Sequence, residues 1–328
     1  MLNNPRSHIL FTGGTGFFGL ALMRHWQNLG SSAPEVTVLS RNPERFVSLY
    51  PELADTVNWV KGDVIDQNGF PRAGEFTHML HAAADSTLGP GISPMERFNQ
   101  IVEGTRNALN FCLHRGVDRC LFVSSGAVYG PQPEHLEKIP EGFHGMPDPL
   151  DPMQSYGVAK RCAEHLCALY GERYQLQTVI ARCFAFVGPD LPVNVHFAIG
   201  NFIRDALSAP EITIRGDGTP IRSYMDQRDL ANWLQTLLLH GKAGQAYNVG
   251  NDVSISITDL AHSIRDLLSP EKAVRVLGDR VPNKAVNRYV PAVQKARFEL
   301  QLVNTHTLQD AILRAATGIS ASMRHRTQ

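Results

Sequence analysis

A tyrosine and a lysine four residues apart are suited to proton transfer. Tyr156 and Lys160 lie in a segment with helical spacing, and residues four apart share one face of a helix. A free tyrosine has a pKa of about 10, too high for a base at neutral pH. A neighbouring ammonium favours the phenolate and lowers that pKa. The same spacing also occurs in ordinary surface pairs, so the pair alone predicts little.

A serine upstream extends this pair. Ser125 follows the apolar run Cys120–Val123, which predicts a strand. Its hydroxyl can hydrogen-bond the substrate oxygen with which Tyr156 exchanges a proton. Ser125, Tyr156 and Lys160 are therefore suited to acid–base chemistry at a hydroxyl or carbonyl group.

A glycine loop near the N-terminus supplies the expected cofactor site. Gly13, Gly16 and Gly19 are spaced by three residues between the apolar run Ile9–Thr12 and a segment of helical spacing. Glycine permits positive φ and a close backbone approach to a pyrophosphate. The N-terminus of the following helix favours an anion. A strand before the loop and a helix after it indicate a dinucleotide site rather than a plain turn.

The end of the second predicted strand bears on the choice of cofactor. A site for NAD usually has an acidic residue there for the ribose 2′-hydroxyl, whereas this chain reads Leu39-Ser40-Arg41-Asn42. The guanidinium of Arg41 suits a 2′-phosphate. The sequence therefore predicts NADP(H), with NAD(H) as the alternative if Arg41 is only a solvated surface residue.

Three motifs together resemble the extended short-chain dehydrogenases, the group of sugar epimerases, dehydratases and reductases. They are the loop Thr12–Gly19, the stretch Ser124-Ser-Gly-Ala-Val-Tyr-Gly130 and the stretch Tyr156-Gly-Val-Ala-Lys160. Weaker motifs of that group follow in the expected order, at His81–Ala84, Asn99–Thr105, Arg182–Pro189, Gly216–Arg222 and Tyr247–Gly250. The resemblance covers nearly the whole chain.

The resemblance implies roles for named residues. Ser125, Tyr156 and Lys160 match the catalytic group. With Arg41 added, the expected cofactor contacts are Gly13, Thr15, Gly16, Phe17, Phe18, Gly19, Arg41, Asp63, Val64, Ala82, Ala83, Ala84, Asn99, Ser124, Tyr156, Lys160 and Phe184. The expected substrate contacts are Ser125, Asn194, His196, Arg222 and Arg288. Arg222 matches a contact to the substrate diphosphate. His196 as a packed loop residue and Arg288 as a surface residue remain alternatives.

Departures from the group's pattern narrow the chemistry. The 4,6-dehydratases carry Asp and Glu directly after the catalytic serine or threonine, and the decarboxylases keep the glutamate. Gly126 and Ala127 stand there in this chain and cannot carry a proton, so dehydration and decarboxylation are not expected. Ala185 replaces an asparagine that often touches the substrate.

Short apolar runs alternate with segments of helical spacing along the chain. The predicted strands are Ile9–Thr12, Val36–Leu39, Val57–Val60, Met79–Ala84, Cys120–Val123, Thr178–Ala181 and Ala246–Val249. This alternation predicts an α/β fold, a Rossmann-type doubly wound parallel sheet with a smaller C-terminal substrate-binding domain. Residues 1–184 with 222–252 would form the NAD(P)-binding domain, and residues 185–221 with 253–328 the smaller domain. The substrate would lie between them, at the carboxyl ends of the strands.

Composition excludes several classes of protein. The 328 residues include 31 basic and 31 acidic side chains, so nothing favours nucleic-acid binding. No apolar run reaches the roughly 18 residues of a membrane helix, and the N-terminus lacks the pattern of a signal peptide. No metal site is predicted. An odd set of cysteines without paired spacing indicates buried, reduced thiols in a cytoplasmic protein. They are Cys112, Cys120, Cys162, Cys167 and Cys183.

Three functions compete at this point. The first is NADPH-dependent reduction of a 4-keto-6-deoxy sugar on a nucleoside diphosphate. The second is a nucleotide-sugar 4-epimerase with retained NAD(P). The third is a non-catalytic NADP(H)-binding sensor, disfavoured because Tyr156 and Lys160 are both present. The resemblance also predicts a homodimer through helices Phe98–His114 and Ser155–Tyr170.

Overall fold

A computed structural model describes residues 7–84, 92–193, 195, 197–282 and 285–325. The strands are β1 His8–Thr12, β2 Glu35–Ser40, β3 Asn58–Lys61, β4 His78–His81, β5 Arg119–Ser125, β6 Gln177–Cys183, β7 Phe186–Val187, β8 Ile212–Ile214, β9 Ile221–Arg222, β10 Met225–Asp226, β11 Gln245–Val249, β12 Ile255–Ser256, β13 Val274–Val276 and β14 Arg288–Tyr289. The helices are α1 Phe17–Leu29, α2 Pro43–Leu49, α3 Pro94–Arg115, α4 Ser155–Tyr174, α5 Ala198–Ser208, α6 Gln227–His240, α7 Ile257–Leu268, α8 Gln294–Leu300 and α9 Leu308–His325.

Seven strands form one sheet in the order β11-β6-β5-β4-β1-β2-β3. Every neighbouring pair in it is parallel, which confirms the predicted Rossmann-type fold class. The chain builds outward from β1 to β3 and then returns to β4 on the other side of β1. The loops after β1 and β4 therefore diverge and open a crevice at the carboxyl edge of the sheet.

Helices cover both faces of this sheet. Apolar side chains of α1 and α6 pack on one face, and those of α3 and α4 on the other. Helix α3 begins with a capping box, in which Ser93 and Glu96 satisfy each other's backbone N–H groups, and Gly116 ends it in the left-handed conformation. Burial on both faces explains why the strands read as continuous apolar runs.

A further apolar core lies beside the carboxyl edge of the sheet. Helices α5, α7 and α9 enclose it together with β8 and β13. Phe17, at the start of α1, contacts both this core and that of the sheet. The domain boundaries at 184/185, 221/222 and 252/253 stay a prediction.

The cysteines differ in exposure. Four of the five are buried, whereas Cys162 on α4 is exposed, so the expectation that all five are buried was wrong for that residue. Within the described ranges, no helix is both long and apolar enough to cross a membrane.

Candidate active site

A cleft of about 1420 Å³ runs along the carboxyl edge of the sheet and continues beside the core of α5, α7 and α9. It exceeds the ~300–1,000 Å³ of a site for one small ligand, so it has room for two. Most of the residues predicted for the site line it, namely Gly13, Thr15, Gly16, Phe17, Phe18, Arg41, Asp63, Val64, Ala82, Ala83, Ala84, Ser124, Ser125, Tyr156, Lys160, Phe184 and Arg222.

At one end of this cleft the glycine loop exposes backbone atoms that no side chain covers. Gly13 has a φ of +84°, and a Cβ there would lie 2.6 Å from the carbonyl carbon of Ala82. Gly16 caps α1 without a side-chain hydrogen bond, so the first N–H groups of the helix remain available to an anion. Gly19 does not line the cleft, because it packs against Gly14, whose carbonyl oxygen a Cβ would overlap. Its expected cofactor contact is thus corrected to a packing role.

Arginines flank the end of β2. Arg41 and Arg45 are both exposed and both line the cleft. Asn42 is the N-cap residue of α2. Its side chain accepts a hydrogen bond of 3.0 Å from the backbone N–H of Arg45, which fixes the backbone of Arg45 at the start of that helix. The sequence reasoning missed Arg45, although its position four residues after Arg41 on a helix start was a usable signal. No lining residue of the segment 39–50 is acidic.

Ser125, Tyr156 and Lys160 meet at the middle of the cleft. Ser125 ends β5 and accepts a hydrogen bond of 3.2 Å from the backbone N–H of Ala127, and it lies near Tyr156 in the first turn of α4, close enough to lower the pKa of that phenol. The Nζ of Lys160 donates to the carbonyl oxygen of Val123 over 2.7 Å and lies 6.0 Å from the centre of the Tyr156 ring. The carboxyl end of β5 thus positions both the hydroxyl and the ammonium.

Burial dominates the electrostatics of this group. It raises the pKa of Tyr156 to about 12, against an opposing hydrogen bond from Ser125. It lowers the pKa of Lys160 to about 8, against the negative charge of Glu164 among other groups. The expectation that the ammonium brings the tyrosine pKa below its usual value was therefore wrong for this structure. With a raised pKa, Tyr156 of the free protein is in the form that can donate a proton.

A second phenol lies beside Ser125. The Tyr289 hydroxyl donates to the carbonyl oxygen of Cys183 at 3.5 Å and lies near Ser125, and burial raises the pKa of Tyr289. A Cβ on Gly126 would lie 2.6 Å from the Tyr289 hydroxyl and 2.8 Å from the Phe184 ring. The space that a longer side chain at 126 would need is therefore filled.

An arginine without a carboxylate partner faces the same region. The guanidinium of Arg222 donates to the carbonyl oxygens of Ile221 at 2.8 Å and Asn287 at 3.1 Å. Burial lowers its pKa, and no carboxylate of the described residues forms an ion pair with it. Because a half-buried charge is stabilised by a counter-ion, Arg222 suits an anionic ligand.

Four further expected contacts are not brought into this cleft or cannot be placed. Asn99 is exposed and lies outside the lining, while its neighbour Gln100 is buried and lines the cleft. Likewise Tyr289 lines the cleft and Arg288 does not, because adjacent residues of a strand face opposite sides. Asn194 and His196 lie outside the described residues.

Comparison with known proteins places the chain among sugar-nucleotide enzymes. The family model described as NAD dependent epimerase/dehydratase family matches residues 9–250. UDP-glucuronic acid decarboxylase 1 of Xenopus tropicalis is 28% identical over 303 residues, which are 90% of this chain and 68% of that protein. Two solved structures match in fold. dTDP-glucose 4,6-dehydratase of Bacillus anthracis in complex with NAD has a TM-score of 0.80 at 18% identity, over 97% of this chain and 98% of that one. RMD of Pseudomonas aeruginosa complexed with NADPH has a TM-score of 0.77 at 22% identity, over 96% and 99%.

Proposed function

The chain belongs to the NAD-dependent epimerase/dehydratase family, and from that premise we propose that it reduces a 4-keto-6-deoxy sugar carried on a nucleoside diphosphate, with NADPH as the cofactor. Its relatives are enzymes of the extended short-chain dehydrogenase type, and this chain is an enzyme of that type too.

The observation that carries the proposal is the triad of Ser125, Tyr156 and Lys160 in the cleft, next to Gly126 and Ala127, whose side chains cannot exchange a proton. Reduction of a ketone adds a hydride to the carbon and a proton to the oxygen, so the protein must present an acid. Tyr156 is a partly buried phenol whose pKa burial raises to about 12, and Ser125 lies near it. NADPH, when bound, supplies the hydride. Tyr156 then gives its proton to the carbonyl oxygen, Ser125 orients that oxygen, and the Lys160 ammonium stabilises the phenolate that remains.

Positions 126 and 127 argue against the reactions of several relatives. The decarboxylase and dehydratase relatives need proton-carrying groups beside the triad in the pattern described above, and Gly126 and Ala127 have none. Tyr289 and Phe184 fill the space beside Gly126. Without an acid–base pair at this point, water elimination lacks a route, whereas ketone reduction needs only the triad.

The ends of the cleft fit the two proposed ligands. The glycine loop and the start of α1 would hold the cofactor pyrophosphate, and Arg41 with Arg45 would face its 2′-phosphate. Arg222 would hold the diphosphate of the substrate and so orient the sugar from a distance. Consumption of NADPH with a keto-sugar nucleotide tests the whole proposal.

A 4-epimerase with a retained cofactor is the second candidate. The observation in its favour is the placement of the Lys160 ammonium 6.0 Å from the Tyr156 ring, which supports a phenolate as well as a phenol. An epimerase needs both forms in turn, and the burial that keeps Tyr156 protonated favours the reductase.

Reversing the charge at Arg41 is expected to change the cofactor preference. Arg41→Asp removes a charge-assisted hydrogen bond to the 2′-phosphate and should lower kcat/KM for NADPH by ~10–150-fold, the equivalent of ~1.5–3 kcal/mol. The value for NADH should fall much less. Arg173→Asp, an equal charge change at an exposed position on α4, is the control. A wild-type protein that prefers NADH tenfold would refute the assignment.

The outer face of α3 and α4 is expected to form a homodimer interface. The groove between these helices is lined by Phe98, Val102, Arg106, Val158, Arg161, Cys162, His165 and Leu166. Since a two-fold axis pairs the same surface of both protomers, light scattering should give twice the 36.2 kDa of the chain. The exposed thiol of Cys162 should then react slowly with a maleimide.

A charge in that groove should break the dimer. Val102→Glu is expected to give a monomer in which Cys162 reacts rapidly. Leu313→Glu, which places the same charge at an exposed leucine of α9, should leave the dimer intact. A wild-type monomer at micromolar concentration would contradict the prediction.

A further inference from the structure

A buried carboxylate lies one helical turn beyond Lys160. Glu164 belongs to the same face of α4 as Tyr156 and Lys160, because the three are spaced by four residues. It is 8% exposed, and Ser124, the residue before Ser125, donates its hydroxyl to it over 2.6 Å. Helix α4 is therefore tied to the end of β5 twice, by Lys160 at Val123 and by Glu164 at Ser124.

An arginine on the adjacent strand completes this contact. Arg182 of β6 lies directly beside Ser124 in the sheet and binds both carboxylate oxygens of Glu164, with its Nη2 at 2.7 Å and its Nε at 3.0 Å. Its Nη1 donates to the Tyr129 hydroxyl at 2.9 Å, which in turn donates to Asn248 at 2.8 Å. The carboxylate is fixed from three elements: α4, β5 and β6.

The other titratable groups around Lys160 are neutral at physiological pH. Burial raises the pKa of the Cys183 thiol to about 12 and also raises that of Cys167. Burial lowers the pKa of His81, which faces Lys160 from β4, to about 3. Tyr156 is a phenol. Among the described groups that raise the pKa of Lys160, Glu164 is the one carboxyl group.

We propose that Glu164, fixed by Ser124 and Arg182, is the positioning residue that keeps the ammonium of Lys160 protonated and in place behind Tyr156. The proposal rests on the proposed role of Lys160 in the triad. Its physical basis is that a buried ammonium loses its proton easily unless an opposite charge is near. Glu164 supplies that charge, and Arg182 fixes its position. Glu164 itself contacts neither the cleft nor any reacting atom.

The test measures the protonation of Lys160 directly, independent of any substrate. The intact protein is acetylated with acetic anhydride over a range of pH, and mass spectrometry follows the modification of Lys160. Glu164→Gln should lower the midpoint of that titration by about one pH unit, the lower end of the effect of an opposite charge. Glu172→Gln, the same change at an exposed position of α4, should leave it unchanged.

Two further variants separate charge from packing. Glu164→Asp keeps the charge and should keep the midpoint near the wild-type value, even if the variant melts at a lower temperature. The double variant Glu164→Gln with Arg182→Gln also lacks the carboxylate and should show the same lowered midpoint as Glu164→Gln, which separates loss of the Glu164 charge from an unpaired Arg182. An unchanged midpoint in Glu164→Gln, or equal shifts in Glu164→Asp and Glu164→Gln, would overturn the proposal. Should Glu164→Gln not fold, the double variant decides: a lowered midpoint there supports the proposal, and an unchanged midpoint refutes it.

Measurements of activity distinguish a failure of the Glu164 proposal from a failure of the proposed reaction. With an active substrate, the alkaline limb of the pH profile of kcat in Glu164→Gln should move to lower pH by the same amount as the labelling midpoint. If no keto-sugar nucleotide is reduced but the labelling shift appears, the function is wrong and the role of Glu164 stands. If a keto-sugar nucleotide is reduced but Glu164→Gln shows no labelling shift, the proposed function stands and the proposed role of Glu164 is wrong.

Discussion

Replacing Tyr156 by phenylalanine should lower kcat by about 10²–10⁴, the usual contribution of general acid–base catalysis. The ring stays and only the hydroxyl is lost, so the packing of α4 on the sheet is preserved. The proton that the carbonyl oxygen needs must then come from water. Cofactor affinity should hardly change, because the glycine loop and α1 are untouched.

Tyr170→Phe provides the matched control for this experiment. Tyr170 lies on the same helix and its hydroxyl donates to Asn110 over 2.6 Å, outside the cleft. It should retain full activity. A Tyr156→Phe variant that keeps more than half of the wild-type kcat would remove Tyr156 from its proposed role.

Replacing Lys160 by methionine should cost a similar factor of about 10²–10⁴ in kcat/KM, and in this variant cofactor affinity should fall as well. In the proposed reaction the ammonium would stabilise the phenolate left after proton donation and, as the resemblance to the family implies, would also reach the nicotinamide ribose. Methionine fills the space beside the Phe122 ring, 4.7 Å from the Nζ, without the charge. Lys242→Met, at an exposed lysine paired with Glu299, is the control and should behave as wild type.

The pH dependence follows from the same lysine. Because burial lowers the pKa of Lys160 to about 8, the wild-type rate should be full below that pH and fall as the pH rises through it. The Lys160→Met variant should lack this alkaline limb. A wild-type rate that stays level from pH 7 to well above 8 would show that the charged lysine is not required.

The central sheet could be predicted from the sequence because its strands are buried on both faces. The run Cys120–Val123, for example, lies within the observed strand β5, and Thr178–Ala181 lies within β6. The fourth run was predicted too long, since β4 ends at His81 and Ala82–Ala84 form the loop. The two- and three-residue strands of the C-terminal half are too short to give a periodic signal.

The motifs located the site to within one residue but not always the correct side chain. Gln100 rather than Asn99 and Tyr289 rather than Arg288 face the cleft. A motif indicates where a helix or strand passes the site, whereas the neighbour that points inward depends on the phase of the helix or the pleat of the strand. That phase is set by tertiary packing.

The pKa shifts and ion pairs around the site were the features least predictable from the sequence. The sequence shows that Lys160 lies four residues after Tyr156, but not that burial outweighs this neighbour and keeps the tyrosine protonated. Nor does it reveal that Arg182, eighteen positions beyond Glu164, binds the carboxylate of that residue. Both depend on how much water the folded chain excludes and on which strands become neighbours.

The most direct test mixes the purified protein with NADPH and with dTDP-, CDP- and GDP-linked 4-keto-6-deoxy sugars in turn, and follows NADPH absorbance together with the stereochemistry of the product at C4. The Tyr156→Phe variant serves as the blank. The account predicts that one of these sugars is reduced with one NADPH consumed for each molecule of product. Interconversion of a 4-hydroxy nucleotide sugar with its epimer, without net consumption of cofactor, would contradict it and identify an epimerase.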